Sequence, residues 1–146
     1  MEIFTIGFTK TTAENFFGRL KSNRIERLLD VRLNNRSQLA GFAKEKDLAY
    51  FLRELIGAKY EHAPLLAPTQ EILDAYKKKG AMPWVEYEDR FLALMRDRRI
   101  EKALDLASFG QRTVLLCSED TPDQCHRRLV AEYLAERWGE IEIVHL

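Results

Sequence analysis

The sequence predicts an α/β fold, a single domain over residues 1–146 with a mostly parallel sheet of about five strands and helices on both faces. Two observations support this prediction. Short apolar runs of strand-forming residues alternate with amphipathic stretches along the chain, and parallel neighbours need such helical crossovers. The length of 146 residues, 46% of them apolar, suffices for one hydrophobic core.

The predicted strands follow from apolar and β-branched runs. Thr113–Cys117 is the clearest, because it carries no charge and consists of strand-forming residues. Lys59–His62 is predicted to be a short strand. The strands near residues 2–6, 27–31, 112–117 and 141–145 are expected to be adjacent members of one sheet.

Helices are predicted between these strands from apolar residues at helical spacing. The first opens with Thr11 and Glu14 as a capping box, and the second ends at Gly57. A helical region covers about residues 69–108. Its aromatic residues Trp84, Tyr87 and Phe91 are interpreted as core.

The composition disfavours several classes of protein. Lys plus Arg equals Asp plus Glu, 23 against 23, so the charge disfavours a broad nucleic-acid surface. No apolar run reaches the roughly 20 residues that span a bilayer, so no membrane association is expected. The first residues lack a signal-peptide pattern and the two cysteines fit a reducing compartment, which predicts a cytoplasmic protein. The oligomeric state is not predicted.

Polar and titratable residues follow the predicted strands. In open α/β sheets ligands bind beyond the carboxyl ends of the strands, so these residues mark a candidate site. They are Gly7, Asp30, His62, Cys117 and His145.

Asp30 and Arg32 come at the end of the second strand. The functional interpretation has Arg32, together with Arg36, clamping a phosphate or carboxylate, while Ser37 lines the same crevice. Arg32 is then expected to be partly exposed at the mouth of the crevice. The alternative is an ion pair between Asp30 and Arg32 that ties loops together.

The last helix is predicted to begin with Thr121 as its N-cap, which puts Cys125 and His126 in or just after the first turn. The positive end of the helix favours a thiolate at Cys125. His126 falls in the apolar stripe and is expected to point toward the sheet. The alternatives are a buried structural cysteine and a satisfied core histidine.

Two further assignments concern Glu119 and the second cysteine. Glu119 is interpreted as a general acid or base, or as an anchor for a backbone N–H or an arginine. Cys117, at the end of a core strand, is interpreted as structural. Seven residues separate Cys117 from Cys125, unlike the short spacing of zinc ligands, so neither a metal nor a cofactor is predicted.

With these residues in place, the chain resembles the family called domain of unknown function 488. The order Asp-Val-Arg, Leu-Cys-x-Glu and Cys-His-Arg is specific. The resemblance implies an α/β fold and makes Gly7 and Arg127 further candidate substrate-binding residues. The matching features are Thr5-Ile6-Gly7, Asp30-Val31-Arg32, Ser37, Phe42, Tyr60, Leu115–Glu119, Cys125-His126-Arg127 and His145.

Three functional hypotheses follow. The first is an enzyme, a hydrolase or a transferase, that acts on a small phosphate- or nucleotide-like anion with Cys125, His126 and Glu119 as catalytic residues. The second is a non-catalytic module that binds such an anion. The third, a nucleic-acid-processing accessory protein, is the least favoured by the neutral charge.

Overall fold

A computed structural model describes residues 1–35, 41–77, 82–119 and 121–146. Its strands form one parallel sheet in the order β3-β2-β4-β1-β5. The strands are β1 (Glu2–Gly7), β2 (Arg27–Asp30), β3 (Lys59–His62), β4 (Thr113–Cys117) and β5 (Glu142–His145). The predicted fold class and the adjacency of the four named strands are therefore confirmed.

The helices lie between the strands, as predicted. They are α1 (Ala13–Ser22), α2 (Glu45–Ile56), α3 (Gln70–Lys77), α4 (Trp84–Arg98), α5 (Ile100–Ala103) and α6 (His126–Trp138). No helix in the described ranges is long and apolar enough to cross a membrane.

Two helix boundaries show how local chemistry sets the ends. Helix α2 ends at Gly57, whose φ of 67° is the left-handed conformation expected of a C-cap glycine. Helix α1 uses Thr12 as its N-cap, since the Thr12 side chain accepts from the Asn15 backbone N–H. The predicted cap, Thr11, instead accepts a hydrogen bond from the Asn15 side chain.

The sheet has a hydrophobic core on each face because successive strand residues point in opposite directions. Leu28 and Leu116 pack with the buried side chains of α1 and α2. Leu29, Leu115 and Cys117 pack on the opposite face with the buried side chains of α4 and α6. Cys117 therefore points toward α6 at the carboxyl end of a central strand.

The carboxyl end of β1 passes unusually close to the chain that follows β4. A Cβ added to Gly7 would overlap the backbone carbonyl of Glu119, so only glycine fits at this position. Gly7 pairs with Cys117 in the ladder between the two strands. Its small size therefore sets the path of the segment that leaves β4.

We expect Gly7→Ala to lower the free energy of unfolding by about 3 kcal/mol, because the backbone at Glu119 must shift to admit the methyl group. The matched control is Gly18→Ala in the middle of α1, where an added Cβ meets no atom of the described residues within 4 Å. That substitution should raise stability by about 0.5–1 kcal/mol, since alanine is the better helix former. Chemical denaturation of both variants measures the two changes. Equal stabilities would contradict the close approach at Gly7.

Candidate functional site

A cavity of about 240 Å³ opens at the carboxyl ends of β2 and β4. The chain leaves β2 toward α2 on one face of the sheet and leaves β4 toward α6 on the other face. Adjacent strands whose connections diverge in this way leave a crevice at the sheet edge. The lining residues are Arg32, Leu33, Asn34, Pro68, Leu73, Tyr76, Lys77, Trp84, Tyr87, Cys117, Ser118, Glu119, Gln124, Cys125 and His126.

Arg32 is held against Asp30 by two hydrogen bonds. Its Nε donates to Asp30 Oδ1 at 2.8 Å and its Nη2 to Oδ2 at 2.7 Å, while Nη2 also reaches the Ala43 carbonyl at 2.8 Å. Arg32 is 3% exposed and Asp30 is wholly buried, so the expectation of a partly exposed Arg32 is wrong. The segment around Ala43 and the ring of Phe8, 5.0 Å from the guanidinium, enclose it.

Further hydrogen bonds fix the Asp30–Arg32 pair in place. The Tyr60 hydroxyl donates to Asp30 Oδ2 at 2.5 Å and accepts from the Asn35 amide at 3.0 Å. Burial, together with the hydrogen bond to Asp30, raises the pKa of Tyr60 above its usual value, so the hydroxyl stays a donor. His62 Nε2 donates to the Arg32 carbonyl at 2.8 Å. The Asp30 carboxylate is thus fully engaged and does not line the cavity.

His126 points toward the sheet, as predicted. Its Nε2 donates to the Val31 carbonyl at 2.6 Å, and its Nδ1 lies 3.5 Å from Cys117 Sγ. Because the carbonyl can only accept, Nε2 carries the proton and Nδ1 the lone pair, while Cys117 Sγ lies beside the ring, 3.9 Å from Nε2. Burial lowers the pKa of His126, which keeps the ring neutral.

The two cysteines meet beside this ring. The hydrogen bond from Cys125 lowers the pKa of Cys117, and the same contact, together with burial, raises the pKa of Cys125. The two thiols are therefore coupled, because ionisation of one disfavours ionisation of the other. The helix-terminus argument considered Cys125 by itself, since it could not take into account a second sulfur brought in from β4.

Helix α6 begins later than predicted. It starts at His126 with Cys125 as its N-cap, and the cap side chain makes no hydrogen bond to the helix. The predicted start at Thr121 is wrong because a side chain, and not helical hydrogen bonding, holds the turn that precedes His126. The Arg128 guanidinium donates to the carbonyls of Pro122 and Asp123 at 3.2 and 3.1 Å, which satisfies these groups outside a helix.

Glu119 and Arg127 lie next to each other in space but face different surroundings. The Glu119 carboxylate is 44% exposed, lines the cavity and pairs with Lys77 Nζ at 3.2 Å. Arg127 is fully buried, and its Nη1 donates to the Glu119 carbonyl at 2.5 Å. Neither Arg127 nor Gly7 lines the cavity. The predicted binding residues Arg36 and Ser37 lie outside the described residues.

Aromatic residues of α3 and α4 form one wall of the cavity. Trp84 stacks on Tyr87 with ring centroids 5.1 Å apart, and Tyr76 lies 4.6 Å from Tyr87. Tyr87 is buried, as the core interpretation predicts, Trp84 and Tyr76 are only half-buried, and all three rings line the cavity. Helical spacing did not distinguish aromatic residues that only pack in the core from those that also line a cavity. The sequence signal was the pair Gly80 and Pro83, helix-breaking residues that stand between Tyr76 and Trp84.

Together these features define a parallel α/β protein with a Cys–Cys–His cluster in a cavity at the strand ends. The sequence matches the family described as domain of unknown function DUF488 over residues 12–134, so the chain belongs to that family. Searches of curated proteins and of solved structures found no significant match.

Proposed function

We propose that the protein is an enzyme, a hydrolase or a transferase, that acts on a small phosphate- or nucleotide-like anion in the strand-end cavity. The observation that carries the proposal is the lining of this one cavity. Cations, an aromatic wall and a cluster of reactive side chains all border the same space.

The cations support an anionic substrate. Arg32 borders the cavity, and its Nη1 is a buried donor without a hydrogen-bond partner among the described residues. Lys77 stands at the rim with its side chain 54% exposed. A buried N–H that lacks a partner costs free energy, so an acceptor that reaches it is favoured. Phosphate and carboxylate oxygens are the acceptors that suit a guanidinium.

The size and the aromatic wall narrow the class of substrate. The volume of about 240 Å³ is below the range of roughly 300–1,000 Å³ typical of sites for drug-sized ligands. A small anion or a single planar ring with its phosphate is therefore favoured over a polymer. The half-buried rings of Trp84 and Tyr76 provide a surface for stacking a planar base.

The reactive groups support catalysis over binding alone. Cys117, Cys125 and His126 form the inner end of the cavity, and the Glu119 carboxylate stands on the same lining within reach of solvent. A neutral histidine beside two thiols and a solvent-accessible carboxylate is a combination suited to proton transfer and nucleophilic chemistry. A simple anion-binding site needs none of these groups.

The test is a panel of inorganic phosphate, sugar phosphates and nucleoside monophosphates. We expect at least one phosphorylated compound to raise the melting temperature with increasing concentration, because ligands stabilise the state they bind. Chromatography of the same mixtures should show its slow conversion. Binding without conversion would favour the non-catalytic module, and failure of every compound to bind would contradict the proposal.

We expect Lys77→Ala to weaken binding of the active compound by about tenfold, which corresponds to 1.4 kcal/mol. Because Lys77 and its partner Glu119 are both largely exposed, stability should change by less than about 1 kcal/mol. Titration calorimetry at low and high salt measures the loss, which should shrink as salt screens the charge. Lys21→Ala, in the last turn of α1, is the matched control and should bind as the wild type does.

A further inference from the structure

Three side chains at the inner end of the cavity bring metal-ligating atoms together. The sulfurs of Cys117 and Cys125 and a ring nitrogen of His126 all lie within 4.8 Å of one another, and all three residues are buried. Cys117 ends β4, while Cys125 and His126 begin α6. Because the end of β4 meets the start of α6, the fold brings together three possible metal ligands that their spacing along the chain does not suggest.

The distances suit a common ion. With Zn–S bonds of about 2.3 Å and Zn–N bonds of about 2.0–2.1 Å, ligand atoms of a tetrahedral site lie about 3.5–3.8 Å apart. Cys117 Sγ and His126 Nδ1 are already 3.5 Å apart. The widest separation in the set exceeds the tetrahedral value by about 1 Å, so the side chains must rotate to close around an ion.

The orientation of His126 is a second, independent observation. Metal-bound histidines almost always donate the other ring N–H to a carbonyl or carboxylate, which fixes the tautomer. His126 already makes such a hydrogen bond without a metal, because its Nε2 donates to the Val31 carbonyl at 2.6 Å. The free lone pair is then on Nδ1, the ring nitrogen nearer to Cys117 Sγ, at 3.5 Å against 3.9 Å for Nε2. The ring also packs on Phe91, with centroids 5.4 Å apart, which limits its rotation.

We infer that Cys117, Cys125 and His126 bind a divalent transition-metal ion of the zinc class, with one coordination position open to the cavity. Thiolate and imidazole ligands together select zinc over magnesium or calcium. All three ligands also line the cavity, so the open position faces the space where a ligand can enter. Three protein ligands with an open fourth position characterise catalytic rather than structural zinc sites.

The inference deepens the proposed function, and the role of the ion in catalysis rests on it. A zinc ion in such a position activates a bound water or polarises a phosphoryl oxygen. Metal binding itself depends only on the three side chains. The prediction of no metal rested on the seven residues between the cysteines and on the distance along the chain to any histidine that could complete the set, and this proposal departs from it.

The experiment uses the full chain, purified under reducing conditions, stripped with a chelator and titrated with cobalt(II). We expect one cobalt per chain, with a sulfur-to-cobalt charge-transfer band in the near ultraviolet and the visible absorption of a tetrahedral site. Zinc should displace the cobalt and abolish both signals. A reduced, folded chain that gives no charge-transfer band would overturn the inference, as would one whose two cysteines join in a disulfide without binding metal.

The sharpest variant is Cys125→Ser. Cys125 occupies the N-cap of α6 without making a side-chain cap, and serine is a favoured N-cap, so this variant should fold. Its zinc affinity, measured by competition with a chromogenic chelator, should fall by about 100-fold or more. His145→Gln is the matched control, since this histidine bonds to Thr5 outside the cluster, and it should bind zinc as the wild type does. An unchanged affinity in folded Cys125→Ser would overturn the inference.

A failure of the metal inference can be distinguished from a failure of the proposed function. Cobalt binding without any response to the phosphate panel would uphold the metal site and contradict the proposed function. A response to the panel in the chelator-treated, metal-free chain, together with no cobalt signal, would support the proposed function and overturn the metal site.

Discussion

Arg32→Ala should lower the free energy of unfolding by about 3–5 kcal/mol, because it leaves the Asp30 carboxylate buried without its cation. Asp30 is wholly buried and Arg32 is 3% exposed, so water cannot replace the lost bonds without opening the structure. Urea denaturation at neutral pH measures the change. This outcome follows from the burial of Arg32, which the sequence-based expectation had placed partly exposed at the mouth of the crevice.

Two comparisons separate the buried ion pair from a general effect of losing an arginine. Arg53→Ala removes an exposed guanidinium that pairs with Glu54, with the two side chains 65% and 53% exposed, and should cost less than about 1 kcal/mol. The double variant Asp30→Leu/Arg32→Met removes both charges and should be more stable than Arg32→Ala. If Arg32→Ala unfolds like Arg53→Ala, the pair does not hold the site together.

Phe91→Ala should also cost about 3–5 kcal/mol, since it deletes a fully buried ring and leaves a cavity. Phe91 stacks on Tyr87 with centroids 6.1 Å apart and packs on the His126 ring at 5.4 Å. The substitution therefore removes the contact between α4 and the first residue of α6. Thermal and chemical denaturation measure the loss of stability.

The control lies on the same helix. Val85→Ala in α4 changes a side chain that is 68% exposed and should alter stability by no more than about 0.5 kcal/mol. Phe91→Leu keeps much of the buried volume and should fall between the two. If Phe91→Ala matched Val85→Ala, α4 would not pack on α6 as described.

The sequence by itself determined the order and nature of the main elements. Thr113–Cys117 is a strand because its uncharged, β-branched and apolar residues suit a central position buried on both faces. Gly57 ends α2 because it adopts the left-handed conformation at little cost. The direction of His126 followed from the apolar stripe of α6. These features depend on residues that are close together in the chain, so they can be predicted from the sequence.

The tertiary structure alone decided the burial and the partners of the site residues. Arg32 is buried because Ala43 and Phe8 close over it, and neither is adjacent to it in the chain. Helix α6 starts at His126 because Arg128 folds back on the preceding turn. Cys117 and Cys125 meet because a strand end and a helix start converge there. Burial and charge depend on every segment that packs nearby, so spacing along the chain cannot supply them.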